Sequence, residues 1–146
     1  MKILSIEVSG TELNTVLLTG TKVSYHVESL GKMLKASNSK PSVKDIIDLQ
    51  KNFGMKLDEI KPDIVSIVEG GNEAKKNRIQ IEFVIQVMCL EKSITVNTYP
   101  SGACTKFINT GFQKKTNKSF LSEFEKFTIP KYMTKVFALA WKCLND

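Results

Sequence analysis

Residues 63–69 read Asp-Ile-Val-Ser-Ile-Val-Glu, with four β-branched apolar side chains in the five inner positions. A strand with one wet face alternates apolar and polar residues; this one does not, so it belongs in the middle of a sheet covered on both sides. Cover on both sides means helices above and below. The expected class is therefore α/β, and the rest of the chain is read for strands to flank this one and helices to cover it.

Three strands come first. Residues 2–9 set Leu4, Ile6 and Val8 against Ile3, Ser5 and Glu7, residues 13–19 are rich in Val and Leu, and residues 23–27 follow Gly20. The links contain Gly10-Thr11 and Gly20-Thr21, where glycine tolerates the positive φ of a hairpin, so the three form an antiparallel meander. After a polar loop over residues 37–42, Ser42 caps a helix whose apolar stripe is Val43, Ile46, Ile47, Phe53, Leu57 and Ile60, and Pro62 stops it. The buried strand then ends at Gly70-Gly71.

Residues 78–91 predict a central helix, apolar almost all round except for Arg78, Glu82 and Gln86, which repeat every four residues along one line. A short strand over 93–98 closes at Tyr99-Pro100; a short helix over 103–108 and a basic, polar loop over 110–118 follow. Pro130 suits the first turn of a last helix whose core face is Met133, Val136, Phe137, Ala140, Trp141 and Leu144. The order β-β-β-α-β-α-β-α predicts one domain over residues 1–146, with a mixed five-stranded sheet and helices on both faces.

Charge and cysteines narrow the function classes. Lys and Arg number 21 against 15 Asp and Glu, a net charge of +6 that favours an anionic partner. No apolar run approaches the ~20 residues of a membrane helix, and the first residues read as a strand rather than a signal segment, so the expectation is a cytoplasmic protein with no membrane partner. Cys89, Cys104 and Cys143 are widely spaced and the histidine is single, which leaves neither a CxxC pair nor a zinc-ligand cluster. His26 has no Asp or Cys near it in sequence to build a triad. The cysteines read as small core hydrophobes, and Trp141 and Phe137 as core residues.

An acidic residue within strand one, in Ile6-Glu7-Val8-Ser9-Gly10, and another ending strand four, in Ile67-Val68-Glu69-Gly70, together with the strand order, resemble the RNase H-like superfamily, its RuvC-type Holliday-junction resolvases above all. The opening Ile-Glu-x-x-Gly and the aromatic last helix are also similar to a small uncharacterised bacterial family of stand-alone RNase H-like proteins. The resemblance implies a nuclease in which clustered carboxylates hold two magnesium or manganese ions that activate water and stabilise the leaving oxygen. It puts Glu7 and Glu69 in the catalytic positions, and Tyr99-Pro100 with Lys106 in the stretch near DNA. The two acids that the resolvases carry one turn apart on the last helix align with Tyr132 and Lys135, so a lysine stands where the family holds metal.

Each candidate has two readings. Glu7 and Glu69 are metal ligands, joined by a relocated Glu73 or Glu82, or they are vestiges salt-bridged to Lys135, whose ammonium replaces the cations. Gly70-Gly71-Asn72 with Lys75, Lys76 and Arg78 cradles a phosphate or is only a turn. Lys114, Lys115 and Lys118, between Phe112 and Phe120, suit a single strand stacked on aromatic faces, unless the phenylalanines belong to the core. The expected function is a degenerate, catalytically inactive relative of nucleases that binds nucleic acid or a protein partner and needs no cofactor. The alternatives are a Mg- or Mn-dependent nuclease using Glu7 and Glu69, and an adaptor that homodimerises through its sheet edge or last helix.

Overall fold

A computed structural model describes residues 1–10, 12–34, 42–71 and 76–146. Five strands form one sheet in the order β3-β2-β1-β4-β5. β1 (Lys2–Ser9) pairs antiparallel with β2 (Glu12–Gly20), and β2 with β3 (Tyr25–Leu34). On its other side β1 runs parallel to β4 (Ile64–Glu69), which runs parallel to β5 (Thr95–Pro100). The apolar strand read from residues 63–69 is interior, as its composition requires.

Strand alternation divides the core in two. Leu4, Ile6, Val8, Val65 and Ile67 pack against Leu49, Phe53 and Leu57 of α1 (Val43–Ile60) and Ile81, Ile85 and Met88 of α2 (Lys76–Glu91). Ile3, Val16 and Leu18 face the other way, onto α6 (Thr134–Cys143) and an aromatic cluster. That second layer is built from α3 (Ser101–Lys106), a π-helical stretch (Phe107–Gly111), α4 (Phe112–Thr116) and α5 (Phe120–Phe124). Its centre is Phe112, whose ring lies 4.7 Å from Trp141 and 5.3 Å from Phe120.

Local chemistry explains the element ends. Ser42 caps α1 by accepting from the Asp45 N–H while the Asp45 carboxylate accepts from the Ser42 N–H, and Lys61 closes the helix with φ 51° before Pro62. At Gly20 φ is +128°, and a Cβ there would stand 2.3 Å from the Ser24 carbonyl oxygen, so the β2–β3 turn needs glycine.

Several sequence expectations need correction. β3 starts at Tyr25 rather than at Val23, which is 89% exposed in the turn, and it extends to Leu34 through a bulge where Thr15 pairs with Gly31 and Val16 with Ser29. The basic loop over 110–118 is largely helical, because Phe112 is drawn into the core and carries its neighbours with it. The last helix starts three residues late, after a 3-10 turn (Lys131–Met133). Its residues Val136 to Trp141 are all buried. On α2 the polar line turns inward: Glu82 is 5% exposed, while Phe83 is 65% and Leu90 76% exposed. The polar loop over 37–42 lies, apart from Ser42, outside the described residues. Among the described residues no helix is long and apolar enough to cross a membrane.

Removing the Phe112 ring leaves a void between Phe107, Phe120 and Trp141 that the layer cannot fill. Phe112→Ala is expected to cost about 3–5 kcal/mol in urea unfolding; a loss below about 1 kcal/mol would contradict its central place.

Candidate functional site

Parallel pairing brings the ends of β1 and β4 to one rim. Glu7 lies opposite Val68 in the register, and Glu69 is one residue further along β4. Register partners in a sheet share a face, so Glu7 points with Val68 to the α6 side, and alternation turns Glu69 to the other side. The two glutamates are thus neighbours along the backbone whose side chains diverge. Glu69 makes no ion pair among the described residues, whereas Glu7 has Arg78 at 3.9 Å.

Arg78 and Glu82, one turn apart on α2, form a clamp on the end of β4. The Arg78 Nε donates to Glu82 Oε1 at 2.8 Å and its Nη2 to the Val68 carbonyl at 3.0 Å; the same Glu82 oxygen accepts the Gly70 N–H at 2.9 Å. A carboxylate this buried is costly unless paired and hydrogen-bonded, and here it is both. The line of Arg78 and Glu82 was visible in the sequence; its inward direction was not.

Glu7 is held in a mixed field. Burial pushes its carboxyl above the ordinary glutamate range, Arg78 and Lys135 pull it back, and the Glu82 charge pushes it up again. Opposite it on β2, the buried Asn14 Oδ1 has no hydrogen-bond partner among the described residues. Lys135 acts on Glu7 only through its charge: its ammonium donates to Ser101 Oγ at 2.7 Å, and no salt bridge joins it to either glutamate. Ser101, the first residue of α3, was not singled out in the sequence, because a lone serine after a proline carries no signal. Tyr132 is 49% exposed, with the Lys32 ammonium 4.8 Å above its ring.

The other candidates are scattered. Lys76 is exposed at the start of α2, and Lys106, Lys114 and Lys118 are exposed on and after α3 and α4. Lys115 shares a groove with Lys22, Trp141 and Asp146, and the Lys22 N–H bonds the Asn145 carbonyl beside the start of β1. That is the end of the sheet opposite Glu7. Phe112 and Phe120 are 1% and 2% exposed, so neither offers a face to a base. Lys75, Glu73 and Asn72 lie outside the described residues. His26 is an exposed strand residue, and burial raises all three thiols, Cys89 to about 12, which suits packing rather than nucleophilic attack.

The two-metal centre implied by the resemblance does not fit these side chains. It needs several carboxylates converging on one point. Here Glu69 diverges, one Glu82 oxygen is spent on Arg78 and Gly70, and no group of three acidic, histidine or cysteine side chains converges among the described residues. A guanidinium stands by Glu7 instead.

Two outcomes follow from this geometry. Arg78→Met strips Glu82 of its cation, and a loss of about 3 kcal/mol is expected in urea unfolding, partly recovered by adding Glu82→Leu. An acid whose pKa is higher in the folded than in the unfolded protein binds its proton more tightly when folded. Ionised Glu7 therefore weighs against folding at neutral pH, and the burden lifts as pH falls through its folded pKa toward 4.5. Glu7→Gln should raise the Tm at pH 7, with a gain that vanishes at acid pH; an equal gain at all pH values would refute this account.

No protein-family model matches the chain, and no curated protein sequence does. Solved structures do. Thermus thermophilus RuvC in complex with a Holliday junction substrate superposes with a TM-score of 0.70 at 11% identity, covering 97% of this chain and 90% of that one. Another Thermus thermophilus RuvC structure gives 0.70 at 16% identity, with 97% and 92% covered. The fowlpox virus resolvase in complex with Holliday junction DNA gives 0.58 at 13% identity, with 97% and 95% covered. Strand order, register and these superpositions agree that the chain has the RNase H-like fold in the form found in RuvC-type and poxvirus Holliday-junction resolvases.

Proposed function

We propose that this chain is a non-hydrolytic member of its fold that binds the backbone of nucleic acid at the carboxyl rim of β1 and β4. One observation carries the reading: the acid on the first strand lies 3.9 Å from a guanidinium and within the field of an ammonium, where two-metal chemistry requires further carboxylates. An ammonium in that place favours the ground-state binding of a phosphodiester and supplies no activated water. The net charge of +6 supports attraction of an anionic polymer, and two of the structural neighbours are resolvases bound to junction DNA. Fold alone does not assign function, so the weight rests on the site.

The test is binding and cleavage on one set of substrates: four-way junction, duplex and single strand, as DNA and as RNA. Binding is expected to weaken steeply with salt, with a log–log slope of about −4 on duplex DNA for about four to five neutralised phosphates. No strand scission is expected with magnesium or manganese. Salt-insensitive or undetectable binding removes the proposal. Metal-dependent cleavage that Glu7→Gln abolishes replaces it with the nuclease reading.

A further inference from the structure

We infer that Lys135 and Ser101 form the seat for one phosphodiester group, and that this seat works without a divalent cation. The inference rests on the binding reading above and deepens it by naming the contact and its independence from metal.

Position comes first. β5 runs parallel to β4, so Ser101, directly after Pro100, lies at the same rim as Glu7 and Glu69. Lys135 stands in the first turn of α6, and its Nζ reaches Ser101 Oγ at 2.7 Å. Both residues are half-buried, so the ammonium is less screened by salt and solvent than the exposed Lys106, Lys114 or Lys115.

Donor accounting comes next. An ammonium has three N–H groups, and one is used on Ser101. Because the serine oxygen accepts that bond, the hydroxyl keeps its own hydrogen as a donor. The pair thus offers ammonium and hydroxyl donors side by side, held by their own hydrogen bond, to the two non-bridging oxygens of one phosphodiester. The nearby guanidinium is already committed, since Arg78 bonds Glu82 and the Val68 carbonyl and stands by Glu7. The Arg78 guanidinium is thus taken up at this rim, whereas among the described residues the Lys135 ammonium has no carboxylate in contact and bonds only Ser101, so two of its N–H groups remain for an incoming anion.

In the two-metal arrangement that the resemblance implies, the cations would bring the phosphate to the carboxylates. Here the ammonium is part of the chain, and the phosphate needs no other bridge. Removing divalent ions should then leave binding intact, and removing Lys135 should not.

The experiment measures the affinity of four-way junction and duplex DNA for the whole chain, in EDTA and in excess magnesium, over a salt series. The proteins are wild type, Lys135→Ala, Lys135→Arg, Ser101→Ala and Lys56→Ala, the last a charge-matched control on α1, each first shown to keep the wild-type Tm or to unfold cooperatively. Expected are binding in EDTA at least as tight as in magnesium for wild type, since magnesium acts only as a competing counterion, and a salt slope shallower by about one for Lys135→Ala. Ser101→Ala should weaken binding less, Lys135→Arg should restore the slope, and Lys56→Ala should leave it unchanged. Wild-type binding that needs magnesium, or a Lys135→Ala slope equal to that of wild type, overturns this inference while the binding proposal stands. Absence of binding under both conditions overturns both.

Discussion

A carboxylate on a central strand needs a cation near it, and the partial compensation of Glu7 by Arg78 bears on how α2 is turned against the sheet. β1 has a strand on each side, so its side chains leave the sheet only toward the two helical layers. Glu7 goes toward α6, near the open rim, and meets Arg78 reaching over from α2. That reach requires the polar line of α2 to face the sheet rather than water. Once Arg78 and Glu82 turn inward to hold Val68 and Gly70, the rest of the helix follows: Ile81, Ile85 and Met88 pack beneath it, and Ile79, Phe83 and Leu90 are left outside. The exposed apolar side chains of α2 are thus the counterpart of a buried ion pair.

The rim and the opposite end of the sheet have different chemistry for the same topological reason. Parallel strands deliver their carboxyl ends together, and with them the turns and helix starts that bear Gly70, Ser101 and Lys135. The other end gathers the start of β1, the turn after Gly20 and the end of α6, where Lys22 pairs with Asp146 over the Trp141 ring. Basic residues counted together in the sequence are divided between these two ends. A net charge describes long-range attraction, whereas at the rim cations stand beside a strand-end carboxylate.

The fold found in the RuvC structures extends over almost the whole chain. Folds persist when their core pattern persists, and that pattern is carried here by Leu4, Ile6, Val65 and Ile67 on one face and by Val136, Phe137 and Trp141 on the other. A charged residue at a strand end is under no such packing constraint.

The sequence by itself determined the class of fold, the interior place of the strand at 64–69, the cap at Ser42 and the stop before Pro62, because these depend on local periodicity and on backbone chemistry within a few residues. The resemblance to the resolvases brought Glu7, Glu69 and Lys135 forward, and the four-residue polar line of the helix at 78–91 brought Arg78. Direction was beyond its reach. Whether Glu7 and Glu69 share a face depends on the register of two strands that are far apart in the chain. Whether Phe112 stacks on a base or fills a core depends on what α6 sets beside it. Whether Lys135 meets a glutamate or Ser101 depends on where β5 ends. Those answers were decided only by the tertiary structure, because each is a relation between segments whose mutual placement is set by packing across the sheet and not by their own residues.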